Sequence, residues 1–291
     1  MNQSTAQSAT PNPAQAMQGK VALITGANTG IGRVTARELA RQGAHVFIAC
    51  RSAERTQAVL DEIRALPEAG TVEWLPLDLE DLDSIRRCAR MFLARDLQLH
   101  LLVNNAGLAG SRGLTKSGFE LAFGVNHVGH FLLTQLLLDC IKRSGPSRIV
   151  TVASRAHYRA KGIDWQAVRQ ATTNRTAIPE YSVSKLANVL FSAELGRRLA
   201  GTGITTYSLH PGVVASDVWR AVPWPIRALI KLRMLSVEQG AATSLYCATS
   251  PEVAAQSGEY YDSCRVRAPS PLAQDLTLAA ELWRRSEEWV R

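Results

Sequence analysis

Short runs of apolar residues alternate along the chain with longer segments in which apolar residues recur every three or four positions. Such short runs are typical of strands buried in a parallel sheet, and the longer segments are typical of amphipathic helices. Six strands are predicted, at residues 21–24, 45–49, 72–77, 99–103, 148–152 and 204–209. Strands that alternate with helices in this way predict an α/β fold with a mostly parallel sheet.

Helices are predicted after the first strand up to residue 40, and then at residues 52–66, 81–95, 118–140, 180–199 and 237–249. A short strand at residues 258–261 would complete a sheet of about seven strands. The last stretch, residues 271–291, has amphipathic spacing and is expected to pack on the domain. The predicted architecture is a single doubly wound domain of the Rossmann type, with helices on both faces of the sheet.

The length and composition set the domain organisation. The chain has 291 residues, of which 46% are hydrophobic and 20% are charged, which is enough for one large domain with a substantial core. We assign residues 19–291 to this domain. Residues 1–18, which contain no charged side chain and no apolar run, are predicted to form a flexible tail rather than a signal peptide or an anchor. No other apolar stretch is expected to reach the length that spans a bilayer.

The cysteines, charges and histidines argue against several function classes. Five cysteines without a CxxC pair favour reduced, buried thiols in a cytoplasmic protein over disulfides or a zinc site. The formal net charge is +8 and the pI about 9.5, but the arginines are spread over most segments. This spread favours a solvated basic surface, which also suits an anionic phosphate cofactor, over a nucleic-acid-binding face. His127 and His130 lack a partner at ligand spacing, so no metal site is predicted.

A glycine-rich turn joins the first strand to the first helix. Residues 25–32 read Thr-Gly-Ala-Asn-Thr-Gly-Ile-Gly. Glycines let the backbone approach a pyrophosphate closely, and a helix N-terminus favours its negative charge. The spacing differs from G-x-G-x-x-G, so a plain strand–helix turn is the alternative interpretation. We predict a dinucleotide site here, with contacts from Gly26, Asn28, Thr29, Gly30 and Ile31.

The end of the second strand predicts which dinucleotide binds. A carboxylate there would select a free ribose 2′-hydroxyl, but this chain has Cys50 and then Arg51. A guanidinium can pair with a 2′-phosphate, and Arg33 lies near enough in sequence to help. This favours NADP(H) over NAD(H). The alternative is that Arg51 is a surface residue that precedes Ser52, the predicted N-cap of the next helix.

The ends of the third and fourth strands predict further contacts with the adenosine half. Asp78, followed by Leu79, can accept a hydrogen bond from the adenine amino group or simply cap a turn. The residues after the fourth strand are small enough for the cofactor to pack on their backbone: Asn105, Ala106 and Gly107. The asparagine amides at this point can alternatively link neighbouring strands.

A tyrosine and a lysine four residues apart form the candidate catalytic pair. Tyr181 and Lys185 share one face of a helix, and an ammonium beside a phenol lowers the pKa of the phenol. Such a phenol can exchange a proton with a carbonyl or alcohol oxygen, although the same spacing also occurs on solvated helices. Ser154, at the end of the fifth strand, is placed to face a substrate oxygen. Asn126, inside an apolar helix, indicates a hydrogen-bonding task or a kink.

Taken in order, these motifs resemble the short-chain dehydrogenase/reductase family over roughly residues 19–262. The motifs that carry the resemblance are residues 25–32, residues 104–107 (Asn-Asn-Ala-Gly), Asn126, Ser154, the Tyr181–Lys185 pair and Pro211-Gly212. Finer segments are similar to the retinol dehydrogenase-like branch: residues 49–51 (Ala-Cys-Arg), 124–127 (Gly-Val-Asn-His), 129–131, 184–190 and 210–214 (His-Pro-Gly-Val-Val).

The resemblance implies a role for each matching residue. Tyr181 would be the general acid/base, and Lys185 would lower its pKa and hold the nicotinamide ribose. Ser154 would orient the substrate carbonyl, and Asn126 would hold a water that links Lys185 to solvent. Four positions would line or hold the nicotinamide: Pro211, Gly212, Val214 and Ser216. Pairing through the predicted helices at residues 118–140 and 180–199 would give a homodimer or homotetramer.

The family places a variable substrate lid after the sixth strand, here at residues 213–235. This segment contains Trp219, Trp224 and a basic apolar stretch at residues 226–235. It would lie on a membrane surface as a short amphipathic helix, or fold over the substrate with its apolar face inward. The second placement is favoured, and it indicates a bulky, apolar carbonyl substrate.

The sequence therefore predicts an NADP(H)-dependent oxidoreductase that interconverts a carbonyl and an alcohol on a lipophilic small molecule. Retinal is one candidate substrate, and another lipophilic ketone or aldehyde is the alternative. The rival hypothesis is a nucleotide-sensing regulator that binds the cofactor without turnover, but a sensor has no need of Ser154, Tyr181 and Lys185 together. Neither a nucleic-acid partner nor an integral membrane segment is predicted.

Overall fold

A single sheet of eight strands runs through the part of the chain that the computed structural model describes, residues 15–213 and 235–291. The strands are β1 (Val21–Thr25), β2 (His45–Cys50), β3 (Val72–Pro76), β4 (Leu101–Asn104), β5 (Ser147–Val152), β6 (Ile204–His210), β7 (Glu259–Asp262) and β8 (Arg265–Val266). Their order across the sheet is β3-β2-β1-β4-β5-β6-β7-β8. Every neighbouring pair is parallel except β7 and β8.

Helices cover both faces of this sheet. They are α1 (Gly30–Arg41), α2 (Ala53–Arg64), α3 (Leu82–Leu93), α4 (Leu121–Arg143), α5 (Ile178–Arg198), α6 (Val237–Thr249) and α7 (Leu276–Trp289). Because strand side chains alternate between the faces, each face has its own apolar core. Leu23 and Phe47 pack with α3, α4, α5 and α7, whereas Ile24 and Ile48 pack with α1, α2 and α6. This arrangement confirms the predicted doubly wound α/β domain.

The position of the cleft follows from the strand order. The chain moves outward from β1 to β2 and β3, and then returns to β4 on the other side of β1. In open α/β sheets a crevice forms at such a reversal, outside the carboxyl ends of the strands. The loops after β1 and β4 meet at this edge, where the Asn105 N–H donates to the Thr25 hydroxyl over 2.9 Å.

One strand is absent from the prediction, and the reason is local. β8 pairs antiparallel with β7 through a two-residue turn, Ser263 and Cys264, both of which have positive φ angles, 54° and 59°. Such a turn fits the right-handed twist of a hairpin, but its usual sequence signal is Asn-Gly or Asp-Gly. Ser-Cys carries no such signal, so the sequence predicts about seven strands rather than eight.

Helix α4 is longer and more apolar than the sequence analysis predicts. It is 23 residues long and, by length and composition alone, apolar enough to cross a bilayer. The prediction that no apolar stretch after residue 18 reaches the length that spans a bilayer is therefore wrong. Most of the helix is buried inside the fold, and its residues Phe131, Leu133 and Leu137 belong to one of the two cores. A core helix of a folded domain meets the same criteria.

The folded part of the chain also begins earlier than the predicted boundary at residue 19. Met17 is buried against the α1 face of the sheet, and its backbone N–H donates to the carbonyl of Gln42 over 3.0 Å. An apolar side chain at the end of a polar segment is enough to dock it. Residues 1–14 of the predicted tail lie outside the described residues.

The C-terminal helix α7 packs on the domain, as its amphipathic spacing indicates. Trp283 stacks on Phe191 of α5 with ring centroids 6.0 Å apart, and meets Phe131 of α4 edge-on at 5.1 Å. The carboxylate of Asp275 caps the helix by accepting from the backbone N–H groups of Thr277 and Leu278. Helix α7 therefore covers part of the α4 and α5 surface.

We expect Trp283→Ala to lower the free energy of unfolding by about 3–5 kcal/mol, because it removes a buried aromatic side chain from the contact with α4 and α5. Urea-induced unfolding followed by circular dichroism measures the loss. Leu276→Ala in the same helix is the control, since Leu276 is 70% exposed. The control should change stability by no more than about 0.5 kcal/mol. Equal losses in the two variants would contradict the packing of α7.

Candidate active site

A cleft of about 560 Å³ lies at the carboxyl ends of the central strands. Of the predicted site residues that the structure describes, it is lined by Gly26, Asn28, Thr29, Gly30, Ile31, Arg51, Asp78, Leu79, Asn105, Ala106, Gly107, Ser154, Tyr181, Lys185, Pro211 and Gly212. Asn126 lies behind this wall. Val214, Ser216 and residues 214–234 of the predicted lid lie outside the described residues.

The glycine-rich turn is shaped by its close approach to the loop after β4. Gly26 has a φ of 65°, and a Cβ at this position would lie only 2.9 Å from the Cα of Ala106. A Cβ at Gly32 would collide with the side chain of Asn105, whose amide donates to the carbonyl of Thr25 over 2.8 Å. Close contacts therefore require glycine at Gly26 and Gly32, and Gly30 has a positive φ of 55°, which favours glycine there too. Helix α1 begins at the cleft wall. This backbone cradle fits an anionic pyrophosphate.

His130 organises the same loop, a task that the sequence does not reveal. The hydroxyl oxygen of Thr25 accepts from the backbone N–H groups of Asn105 and Ala106, both over 2.9 Å. The Nδ1 of His130 lies 3.0 Å from the carbonyl oxygen of Asn126, which can only accept, so Nδ1 carries the hydrogen. Its Nε2 then accepts from the Thr25 hydroxyl over 2.8 Å. Burial, which lowers the pKa of His130 to about 4, favours this neutral form.

The end of the cleft where the sequence predicts the adenosine half holds a charged cluster around Arg51. Its guanidinium lies 2.7 Å from the carboxylate of Glu80 and 3.9 Å from that of Asp78. Lys116 also approaches Asp78, at 3.0 Å. The Asp78 carboxylate further accepts from the backbone N–H of Glu80 over 3.1 Å, so it braces its own turn. Arg51 and Asp78, which the sequence predicts as contacts, both line the cleft. A ligand phosphate at this end would compete with Glu80 for the Arg51 guanidinium.

Arg55 lines the cleft, whereas Arg33, which the sequence predicts to help Arg51, does not. Arg33 is turned toward α2, where its Nε lies 2.6 Å from the carboxylate of Glu62, and it does not line the cleft. Arg55 does line the cleft, because it follows Ser52 by three residues at the start of α2. The Ser52 hydroxyl caps this helix, as predicted, by accepting from the Arg55 N–H over 3.2 Å. Arg51 and Arg55 thus both line the cleft.

The catalytic candidates meet at the other end of the cleft. Lys185 is buried, and its Nζ donates to the carbonyl oxygen of Val152 over 2.8 Å at the end of β5. The same Nζ lies 5.7 Å from the ring centroid of Tyr181. The hydroxyl oxygen of Ser154 accepts from the backbone N–H of Ala156 over 3.1 Å, which leaves its hydrogen free to donate. Three side chains able to bind or protonate one oxygen therefore line the same wall.

The pKa of the phenol is shifted in the direction opposite to the prediction. Burial raises the pKa of Tyr181 above its ordinary value, and the nearby hydroxyl of Ser154 offsets only part of the rise. Lys185 does not impose the expected lowering, because burial lowers its own pKa to about 7 and so weakens its positive charge near neutral pH. The structure therefore presents a protonated phenol, which is the form that donates a proton to a developing alkoxide.

Asn126 sits in a turn of α4 that is wound more loosely than the rest of the helix, at Gly124–Val128. Its amide nitrogen donates to the carbonyl of Leu108 over 3.1 Å and to the hydroxyl of Ser184 over 2.9 Å. Its amide oxygen accepts from the Leu108 N–H over 3.0 Å. The side chain thus ties the loop after β4 to α5, beside Lys185. Such wide turns recur at functional sites. Of the two alternatives that the sequence left open, a hydrogen-bonding task or a kink, these contacts show the hydrogen-bonding task.

Comparison with known proteins agrees with the family resemblance that the sequence motifs carry. A family model described as short chain dehydrogenase matches residues 20–224. The chain is 45% identical over 271 residues to retinol dehydrogenase 12 of Mus musculus, covering 91% of this chain and 84% of that protein.

Among solved structures, an uncharacterised protein from Mycobacterium paratuberculosis is 34% identical, with a TM-score of 0.74 and 94% of each chain covered. The RhlG/NADP active-site complex of Pseudomonas aeruginosa is 26% identical with a TM-score of 0.69, covering 86% of this chain and 97% of that one.

The buried lysine gives an expectation for stability against pH. The folded chain holds the pKa of Lys185 at about 7, below its ordinary value of 10.5. Between these values the unfolded chain binds more protons, so the free energy of unfolding should rise with pH, by up to about 1.4 kcal/mol per unit. Lys185→Met should remove this rise.

Urea unfolding at several pH values across that window measures the effect. Lys161→Met, which changes an exposed lysine, is the matched control and should keep the wild-type slope. If Lys185→Met also kept it, Lys185 would not titrate as described.

Proposed function

Because the chain belongs to the short-chain dehydrogenase family, in its retinol dehydrogenase-like branch, we propose that it interconverts a carbonyl and an alcohol on a lipophilic, retinol-like substrate with NADP(H). The observation that carries the proposal is the convergence of Ser154, Tyr181 and Lys185 on one wall of a cleft whose other end is a glycine cradle. The family assignment makes the chain an oxidoreductase that acts on CH–OH groups; the substrate and the preferred dinucleotide are the proposed part.

The chain's own groups handle the substrate oxygen. A bound nicotinamide dinucleotide would supply or accept the hydride. The Ser154 hydroxyl donates a hydrogen bond to the carbonyl oxygen and holds it toward Tyr181. The Tyr181 phenol then delivers its proton to the same oxygen as negative charge develops there. In the opposite direction, the phenol must first lose that proton, so its raised pKa supports reduction near neutral pH.

Apolar side chains in the wall of the cleft favour a lipophilic substrate. They include Leu108, Ala109, Ile178 and Val213. A retinol dehydrogenase among the relatives supports a retinol-like molecule, and the apolar composition of residues 213–235 is consistent with a bulky one. An apolar site of this kind discriminates weakly between substrates of similar size. Retinal and other bulky aldehydes or ketones are therefore the substrate class.

NADP(H) is favoured by the guanidinium pair at the adenosine end. Arg51 and Arg55 both line the cleft at the start of α2, where the helix N-terminus adds a favourable field for an anion. A 2′-phosphate would compete with the carboxylate of Glu80, which lies 2.7 Å from the Arg51 guanidinium. Arg55 would supply a second positive charge to the same phosphate. The NADP complex among the structural neighbours is consistent with this preference.

For assembly, we propose that pairing of two copies through α4 and α5 is restricted, because α7 occupies part of that surface. Trp283 packs against both Phe131 and Phe191, whose own ring centroids are 5.7 Å apart, so α7 covers these side chains on the face that a second copy would have to approach. A dimer built on this face would have to form around α7 or displace it.

We expect the wild-type chain to oxidise NADPH in the presence of retinal or another bulky apolar aldehyde or ketone. Tyr181→Phe should lower kcat by at least about a hundredfold, because it removes the phenol that delivers the proton to the developing alkoxide. A spectrophotometric carbonyl panel measures both. Tyr246→Phe, a tyrosine of α6 that bonds Glu252 over 2.7 Å, is the control and should keep full activity.

A wild-type turnover rate in Tyr181→Phe would contradict the assignment of Tyr181 as the proton donor. Tight NADPH binding without turnover of any carbonyl would favour the nucleotide-sensing regulator instead.

The preference for NADP(H) over NAD(H) is tested separately, with arginine variants. Arg51→Ala and Arg55→Ala should each raise the KM for NADPH about 10- to 100-fold, since each removes a charge-assisted contact with the 2′-phosphate, and should leave the KM for NADH nearly unchanged. Arg33→Ala is the matched control, because Arg33 is held by Glu62 outside the cleft. Equal effects on the two dinucleotides would contradict the preference.

A further inference from the structure

His157 is buried in the turn that follows Ser154, and both of its ring nitrogens hold backbone groups. Nδ1 lies 2.7 Å from the carbonyl oxygen of Ser154, and Nε2 lies 3.1 Å from the backbone nitrogen of Ser270. A carbonyl oxygen only accepts and a backbone N–H only donates. The imidazole must therefore be neutral, with its hydrogen on Nδ1. Burial, which lowers the pKa of His157, favours the same form.

The same turn is fastened to the C-terminal part of the chain at two more points. Arg155 donates to the carboxylate of Asp262 over 2.6 Å, and the Tyr158 hydroxyl donates to the carbonyl of Ala268 over 2.5 Å. Only the contact made by His157 reaches the serine itself. The other two fix the outer side of the turn and provide a reference for experiments.

Ser154 depends on this turn for its orientation. Its carbonyl oxygen accepts from the backbone N–H of His157 at 3.2 Å as well as from the ring at 2.7 Å. Its hydroxyl oxygen accepts from the N–H of Ala156 at 3.1 Å. Without the ring, one longer hydrogen bond would remain to hold the carbonyl. The backbone at Ser154 would then be held less firmly, and a shift of its Cα would carry the hydroxyl with it.

We propose that His157 is a positioning residue for the reaction, which clamps the Ser154 carbonyl through Nδ1–H and anchors that clamp on the C-terminal segment through Nε2. The inference rests on the proposed function, in which the Ser154 hydroxyl orients the substrate oxygen. A small misplacement of an orienting group lowers the rate of the chemical step. The effect should therefore fall on kcat and leave dinucleotide binding unchanged.

Two substitutions separate the contact made by Nδ1 from the contact made by Nε2. His157→Asn places an amide N–H near the position of Nδ1 and keeps the Ser154 contact, whereas His157→Gln reaches the position of Nε2 and keeps the Ser270 contact. Each variant loses one buried hydrogen bond, so the two should lose similar stability. We expect His157→Gln to lower kcat about 10- to 100-fold and His157→Asn to lower it less than about threefold.

The measurements are kcat and KM on the carbonyl panel, NADPH dissociation constants by fluorescence, and thermal midpoints, all on the full chain. Tyr158→Phe is the control, because it removes a hydrogen bond from the same turn without touching Ser154, and it should keep the wild-type kcat. Equal losses of kcat in the Asn and Gln variants, or a loss as large in Tyr158→Phe, would overturn the proposal.

A second measurement separates this proposal from the proposed function. Nitrogen-15 spectra of labelled histidine should show the His157 ring as the neutral Nδ1–H form at pH 7. A ring that carries its hydrogen on Nε2 would overturn the clamp whether or not the chain turns over a carbonyl. If the wild-type chain reduced no carbonyl, the function would fail, and a neutral Nδ1–H ring would still establish the clamp on Ser154.

Discussion

The layout of the cleft depends on a lysine amine that is shielded from water. Lys185 reaches the end of β5, and the carbonyl of Val152 satisfies its Nζ at 2.8 Å. Removing a lysine from water is costly unless the group gives up its charge or finds partners, and here burial already holds its pKa near 7. The residues around the Lys185 amine leave room for it. At Gly107 a Cβ would stand 3.5 Å from the Nζ, and Asn126 fixes the adjoining loop from behind.

The two ends of the cleft use charge in different ways. At the adenosine end, Arg51 is compensated by Glu80 and Asp78 in a partly exposed setting, where ion pairs are weak and exchange easily. At the catalytic end, burial favours the neutral forms of both Tyr181 and Lys185. The charged side chains and the buried neutral ones therefore lie at different ends of one cleft.

Local sequence patterns predict the fold and most of the cleft, and fail where a partner is distant in sequence. The strands, the glycine turn and the ends of β4 and β5 follow from short runs and from the strand-end rule, and their residues line the cleft. Arg33 was expected beside Arg51, but the direction of a side chain on α1 is set by Glu62, 29 positions away. The roles of His130 and His157 rest on partners 105 and 113 positions away, which no periodicity encodes. The spacing of Tyr181 and Lys185 predicts a lowered pKa of the phenol, whereas burial, which spacing does not report, raises it.

The fastening of the turn after Ser154 has a consequence for the order in which the protein matures on the ribosome. Its partners Asp262, Ala268 and Ser270 lie 107 to 113 positions downstream. The strands β1 to β4, the glycine cradle and His130 of α4, which organises the loop after β4, are all synthesised before them. A nascent chain can therefore assemble its nucleotide cradle while the serine turn still lacks its anchors. Competence for chemistry arrives late in synthesis, well after the cradle has formed.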